Sequence, residues 1–169
     1  MKPHFRRILV PLDFSPPSDR ALLYAKALAT EFTAPLELLH VIEDRLMAGP
    51  WPAEVYLGEL PRIRENLVKE AERRLAETIE SLANHGIKST GQVLIGSPSQ
   101  VIIEQADATN ADLIVMGTHG RTGITHLLIG SVAERVIRHA PCPVFVVRER
   151  ATAEGSLAAV AVALGQDRA

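Results

Sequence analysis

The sequence predicts an α/β fold: a Rossmann-like, open, parallel five-stranded sheet of order 3-2-1-4-5, with helices on both faces. Three observations lead there. Short apolar runs alternate with segments of helical period along residues 1–150, and such alternation produces right-handed βαβ crossovers and a mostly parallel sheet. With 169 residues, 47% apolar and 22% charged, the chain suits one globular domain with a sizeable core. A spaced glycine run follows the fourth apolar run and not the first. In a sheet of this order that is beside the switch point between strands one and four, where ligands bind.

Each element has its own local reason. Ile8 to Leu12 is a first strand, ended by Asp13-Phe-Ser-Pro-Pro. Ser15 followed by Pro16 has the form of an N-cap with proline at the first helical position. Leu22, Ala25, Leu28, Ala29 and Phe32 then recur at helical spacing. Pro35 to Ile42 returns to strand character. Glu43 to Leu60 has no clear period and holds Gly49, Pro50, Trp51, Pro52, Tyr56 and Gly58, so it is a long loop, either a lid or a disordered insertion.

From Arg62 to His85 a long helix is expected, with Ile63, Leu67, Ala71, Leu75, Ile79 and Leu82 on one face. Its other face pairs Glu65 with Lys69 and Glu70 with Arg74 at i,i+4, which is a solvated face. Gly86 is the expected stop. A third strand covers Ser89 to Ile95. Ser97-Pro98-Ser99-Gln100 then has the form of a capping box opening a helix that runs to about Asn110. Asp112 to Met116 is strand four, Val132 to Ala140 the last helix, and Pro143 to Val147 strand five. Residues 151–169 change composition to Ala-rich and weakly charged. A short appended helix and a disordered tail both fit them.

Several functions are excluded early. A net charge of −2 and a pI near 6.3 argue against nucleic-acid binding. Cys142 stands alone, so no disulfide framework or cysteine-based zinc site is available. No apolar run approaches the roughly 18 residues of a membrane span, and the N-terminus lacks the apolar stretch of a signal peptide. A cytoplasmic location is expected. His119 and His126 have no carboxylate or cysteine at metal-ligand spacing.

The glycine run is Gly117-Thr118-His119-Gly120, nine residues, then Gly130-Ser131. It lies between a buried strand and a helix start. Glycines let backbone approach an anion, and the free N–H groups of a helix start point towards it. A dinucleotide fingerprint or an ATPase P-loop would place its glycines after the first strand, where this chain has none. The same residues also have plain structural readings. Ser131 and Glu134 form S-x-x-E, a helix cap; Gly117 and Gly120 shape a turn; Asp13 is either a turn residue or a polar ligand at a strand end. Glu134 near a phosphate is unfavourable, but Arg138 at i+4 neutralises it.

Gly117-x2-Gly120-x9-Gly130-Ser131 resembles the ATP-binding signature of the universal stress proteins. Ile8-Leu-Val-Pro-Leu-Asp-Phe-Ser15, Gly130 to Val136 and His139 to Val147 are also similar to that family, over about residues 6 to 148. The resemblance implies that Pro11, Asp13 and Val41 hold adenine, with Met116 and Gly117 closing around adenine and ribose. Thr118 and His119, in the same run, are implied to be nucleotide-binding too. Gly120, Arg121, Gly130, Ser131 and Val132 carry the phosphates in this reading, and Asp13 is a candidate Mg contact. The implied cofactor is ATP, ADP or AMP, with Mg.

The resemblance further implies a homodimer through the last strand. Pro143 to Val147 would be an exposed apolar edge in a monomer, which supports that on physical grounds. No residue orients water and no nucleophile–base pair stands out, so slow or absent ATP turnover is expected. The leading expectation is an ATP-binding sensor or signalling protein. A slow ATPase or phosphotransferase is one alternative. A nucleotide-free interaction module, recruiting an unidentified protein through 43–60 or the tail, is the other.

Overall fold

The computed structural model describes residues 5–43, 58–118, 129–148 and 161–163. In chain order these form β1 (Ile8–Pro11), α1 (Pro16–Phe32), β2 (Leu36–Glu43), α2 (Leu60–Asn84), β3 (Ser89–Gly96), α3 (Pro98–Ala108), β4 (Leu113–Gly117), α4 (Ser131–His139), β5 (Val144–Val147) and β6 (Ala161–Ala163). The first five strands are parallel, as the alternation of elements predicts, and they lie in the expected order 3-2-1-4-5. β6 adds a sixth strand, antiparallel to β5. The tail was expected to be a short helix or disordered, yet three of its residues form this strand. The reason is the open row of N–H and C=O groups on the outer edge of β5, which a further strand satisfies.

Two apolar layers sandwich the sheet. On one face Ile8, Val10, Leu12, Leu36 and Leu38 pack against Ala21, Ala25 and Ala29 of α1 and Leu75 and Leu82 of α2. On the other, Leu9, Leu39, Ile114 and Met116 pack against Ile102 and Ala106 of α3 and Ala133 and Val136 of α4. The central strands are therefore apolar on both faces, which is why they read as continuous runs.

Local signals hold at most element ends. Ser15 caps α1, its Oγ accepting from the Ser18 N–H at 3.5 Å, with proline at the start of the helix. Gly86 ends α2 at φ 74°, where left-handed backbone favours glycine. The Ser97 capping box does not close: Ser97 makes no side-chain cap bond, and the Gln100 amide donates instead to Glu104 Oε1 at 2.8 Å. The i,i+4 neighbour on the same helix face takes the side chain that would have reached back.

α2 departs from its expected face in two ways. Ala71, Leu75 and Leu82 are buried, but Ile63 is 46% and Leu67 37% exposed. A helix of 25 residues runs about 37 Å, whereas the eight-residue strand β3 spans only about 26 Å, so the first turns of α2 project past the sheet. Glu65 pairs with Lys69 as expected, at 2.6 Å, but Glu70 pairs with Arg73 and not with Arg74. Arg74 turns instead to the Phe14 ring, 4.1 Å from its centroid.

Among the described residues no helix is long and apolar enough to cross a membrane. The 43–60 loop lies outside the described residues from 44 to 57. Of its flanks, Glu43 ends β2 and Leu60 begins α2.

Candidate functional site

In a parallel βαβ sheet every helix starts at the carboxyl edge of the strands, so that edge gathers strand ends and helix N-termini. Here β1 ends at Pro11, β2 at Glu43 and β4 at Gly117, with β1 between the other two. Leu12 N–H donates to Leu39 O at 2.8 Å, carrying the β1–β2 contact past the end of β1. His40 Nδ1 lies 2.7 Å from Leu12 O. A carbonyl oxygen carries no proton, so Nδ1–H is the donor.

The turn after β1 is held by Asp13. Its Oδ1 accepts from the Ser15 N–H at 3.0 Å and from the Ser15 hydroxyl. The turn reading of Asp13 is thus realised in the structure. The carboxylate remains partly exposed at the strand end. Phe14, next in the turn, has φ 60°, and its ring stacks on His40 with centroids 4.6 Å apart.

Gly117 and Thr118 close β4. Thr118 is buried; its N–H donates to Val147 O at 3.0 Å, and its carbonyl accepts from the Gly130 N–H at 2.8 Å. That second bond brings the two ends of the glycine run together, although eleven residues separate Thr118 from Gly130. The Thr118 backbone is a pin that sequence reasoning missed as such. It left no local signal, because both partners are distant in the chain.

α4 starts at this pin. The alternative reading of Ser131 as the helix cap is not met: Gly130 is the N-cap, with extended backbone at φ −62° and ψ 151°, and Ser131 is the first helical residue. The first bond of the helix runs from Glu134 N–H to Gly130 O at 2.9 Å. Glycine has no side chain to cap with, so the amides of Ser131, Val132 and Ala133 lie ahead of the first helical bond at the positive end of the helix dipole. Arg138 pairs with Glu134 at 3.0 Å, as the spacing predicts.

The apolar members share one face. Met116 is 5% exposed and belongs to the layer beneath α3 and α4, and Val41 and Val132 are partly buried at the margin of that same layer. Pro11, Asp13, Val41, Met116, Gly117, Thr118, Gly130, Ser131 and Val132 therefore all occupy β1, β2, β4 or the start of α4, or immediately follow one of these strands. His119, Gly120 and Arg121 lie outside the described residues. Among the described residues no group of three or more His, Cys, Asp or Glu is gathered that would hold a metal ion.

The profile of the universal stress protein family matches residues 4–148. The chain is 39% identical over 145 residues to Universal stress protein MJ0531 of Methanocaldococcus jannaschii, covering 86% of this chain and 83% of that protein. It is 37% identical over 145 residues to a universal stress protein of Thermus aquaticus, covering 85% and 99%. Among solved structures, MJ0577 of M. jannaschii aligns with a TM-score of 0.78 at 30% identity, covering 89% of this chain and all of that one. The universal stress protein UspA from Lactobacillus plantarum aligns at 0.75 and 26% identity, covering 88% and 100%.

Proposed function

The chain belongs to the universal stress protein family, and from that premise we propose that it binds an adenine nucleotide, ATP foremost, at the carboxyl edge of β1, β2 and β4. The observation that carries this reading is the Gly130–Thr118 bond. It sets the uncapped start of α4 beside the end of β4, where backbone amides and the helix dipole favour an anion.

The residues fit such a ligand. Val41 supplies partly buried apolar surface for a base, and Ser131 adds an exposed hydroxyl beside the α4 amides, Val132's among them, that face the phosphates. Asp13 would contribute its partly exposed carboxylate to the ribose or to a phosphate-bound Mg. The nucleotide supplies a charged, exchangeable phosphate chain that reports energy state. We assign no cleavage machinery to this chain, so the nucleotide acts as a conformational ligand of a stress or energy-state sensor. The same reading takes β5 as the strand through which two copies pair.

Denaturing the gently purified protein and identifying what it releases tests the binding, together with calorimetric titration of ATP–Mg, ADP and AMP. An adenine nucleotide in the extract, or saturable binding, is expected. Neither release nor binding would remove the proposal and favour an interaction module. Phosphate production that tracks the protein and vanishes in Gly120→Val would favour a slow ATPase instead.

A further inference from the structure

We infer that β6 is a detachable cover for the outer edge of β5 and competes with a second copy of this chain for that edge. The inference rests on the reading of β5 as the dimer strand. Its ground is the pairing itself: Val144 stands opposite Ala163, Phe145 opposite Val162 and Val146 opposite Ala161, antiparallel. β4 holds the other side of β5, so β6 takes the remaining row of β5's backbone groups. A two-fold axis between identical β5 strands would also set them antiparallel. Both occupants need the same backbone groups in the same direction. They exclude one another.

The cover is built to release. β6 has three residues, two of them alanine, a residue depleted in strands. So short a strand makes few ladder bonds, and its main advantage is its attachment to the same chain. A tethered segment acts at an effective concentration in the millimolar range, against a second copy at micromolar concentration. The dilute chain therefore keeps its edge covered. Rising concentration, removal of the tail, or a partner that takes the tail uncovers it.

Three proteins test this by sedimentation equilibrium: the full chain, the chain ended at Arg150, and the full chain carrying Ala161→Pro with Val162→Pro. Neighbouring residues of a strand face alternate edges, so the two prolines remove one donor facing β5 in either phase. The dimer dissociation constant is expected to fall about tenfold or more in both variants. Hydrogen exchange is expected to show edge amides of Val144–Val147 protected in the dilute full chain and unprotected in the dilute variants. Equal dimerisation of all three proteins overturns the competition and leaves the β5 dimer standing. Weaker dimerisation on truncation also overturns it, since β6 would then belong to the interface. Absence of any dimer in all three, with β5 still protected by β6, shows instead that the dimer reading was wrong and ends the competition with it.

Discussion

Gly117 stands against the backbone of Pro17: a Cβ built on the glycine would lie 3.0 Å from both the Pro17 carbonyl carbon and its oxygen. The end of β4 and the first turn of α1 thus lie close enough that an added Cβ would require one of them to give. The first glycine of the spaced run has a packing duty of its own, whatever the loop after it binds. Gly117→Ala is expected to lower stability by about 1–3 kcal/mol, because the contact is with backbone that cannot swing aside. Urea unfolding measures it; an unchanged midpoint would show that α1 shifts freely.

Gly130 presents the opposite case. Its φ of −62° and ψ of 151° lie outside the left-handed region that favours glycine, so Gly130→Val, although valine is a poorer N-cap, adds no backbone strain. It is expected to weaken ATP binding at least about tenfold, by placing a branched side chain against the amides assigned to phosphate. Calorimetry at a temperature where both proteins are folded separates the effects. Intact affinity would refute the phosphate assignment.

Phe14 sits between Arg74 and His40 while holding left-handed backbone at φ 60°. Phe14→Ala is expected to cost about 2 kcal/mol through lost packing, less than for a fully buried ring. Phe14→Gly is expected to be at least as stable as Phe14→Ala, reversing the usual order, because glycine takes positive φ without steric cost. Chemical denaturation of both variants decides it. A less stable glycine variant would mean that the turn carries no strain.

Cys142 is buried, and that burial, with the Asp112 charge second, pushes its thiol up to about 11 from an ordinary 9.0. Between those values the unfolded chain loses the proton first, so it binds fewer protons than the folded one. Stability therefore falls as pH rises from about 9 to 11, by about 1–3 kcal/mol from this group. Denaturation at pH 8 and pH 10.5 is expected to show a smaller decline in Cys142→Ala than in the parent. Equal declines would show that the thiol does not contribute.

Much was legible in the sequence because periodicity records which face of an element is covered. The alternating runs marked a parallel sheet, Ser15-Pro16 the start of α1, and Gly86 the end of α2. The glycine spacing marked both ends of the loop at the carboxyl edge. Each signal is local, set by a few neighbouring residues and the backbone between them.

Local pattern could not choose among partners far apart in the chain. The apolar stripe of α2 includes Ile63 and Leu67, yet the length of β3 decides that they stay exposed. Arg74 had Glu70 at the right spacing, but the Phe14 ring, in the turn after β1, lay within reach once α2 packed over β3 and β2.

The sequence by itself determined the fold, the family and the edge of the sheet at which a ligand is expected. Only the tertiary structure decided that Gly130 and not Ser131 caps α4, that Gly117 serves Pro17, and that β6 covers β5. The physical reason is one of range. Propensity and periodicity act over a few residues, whereas close packing and the pairing of open backbone groups join residues that only the folded chain brings together.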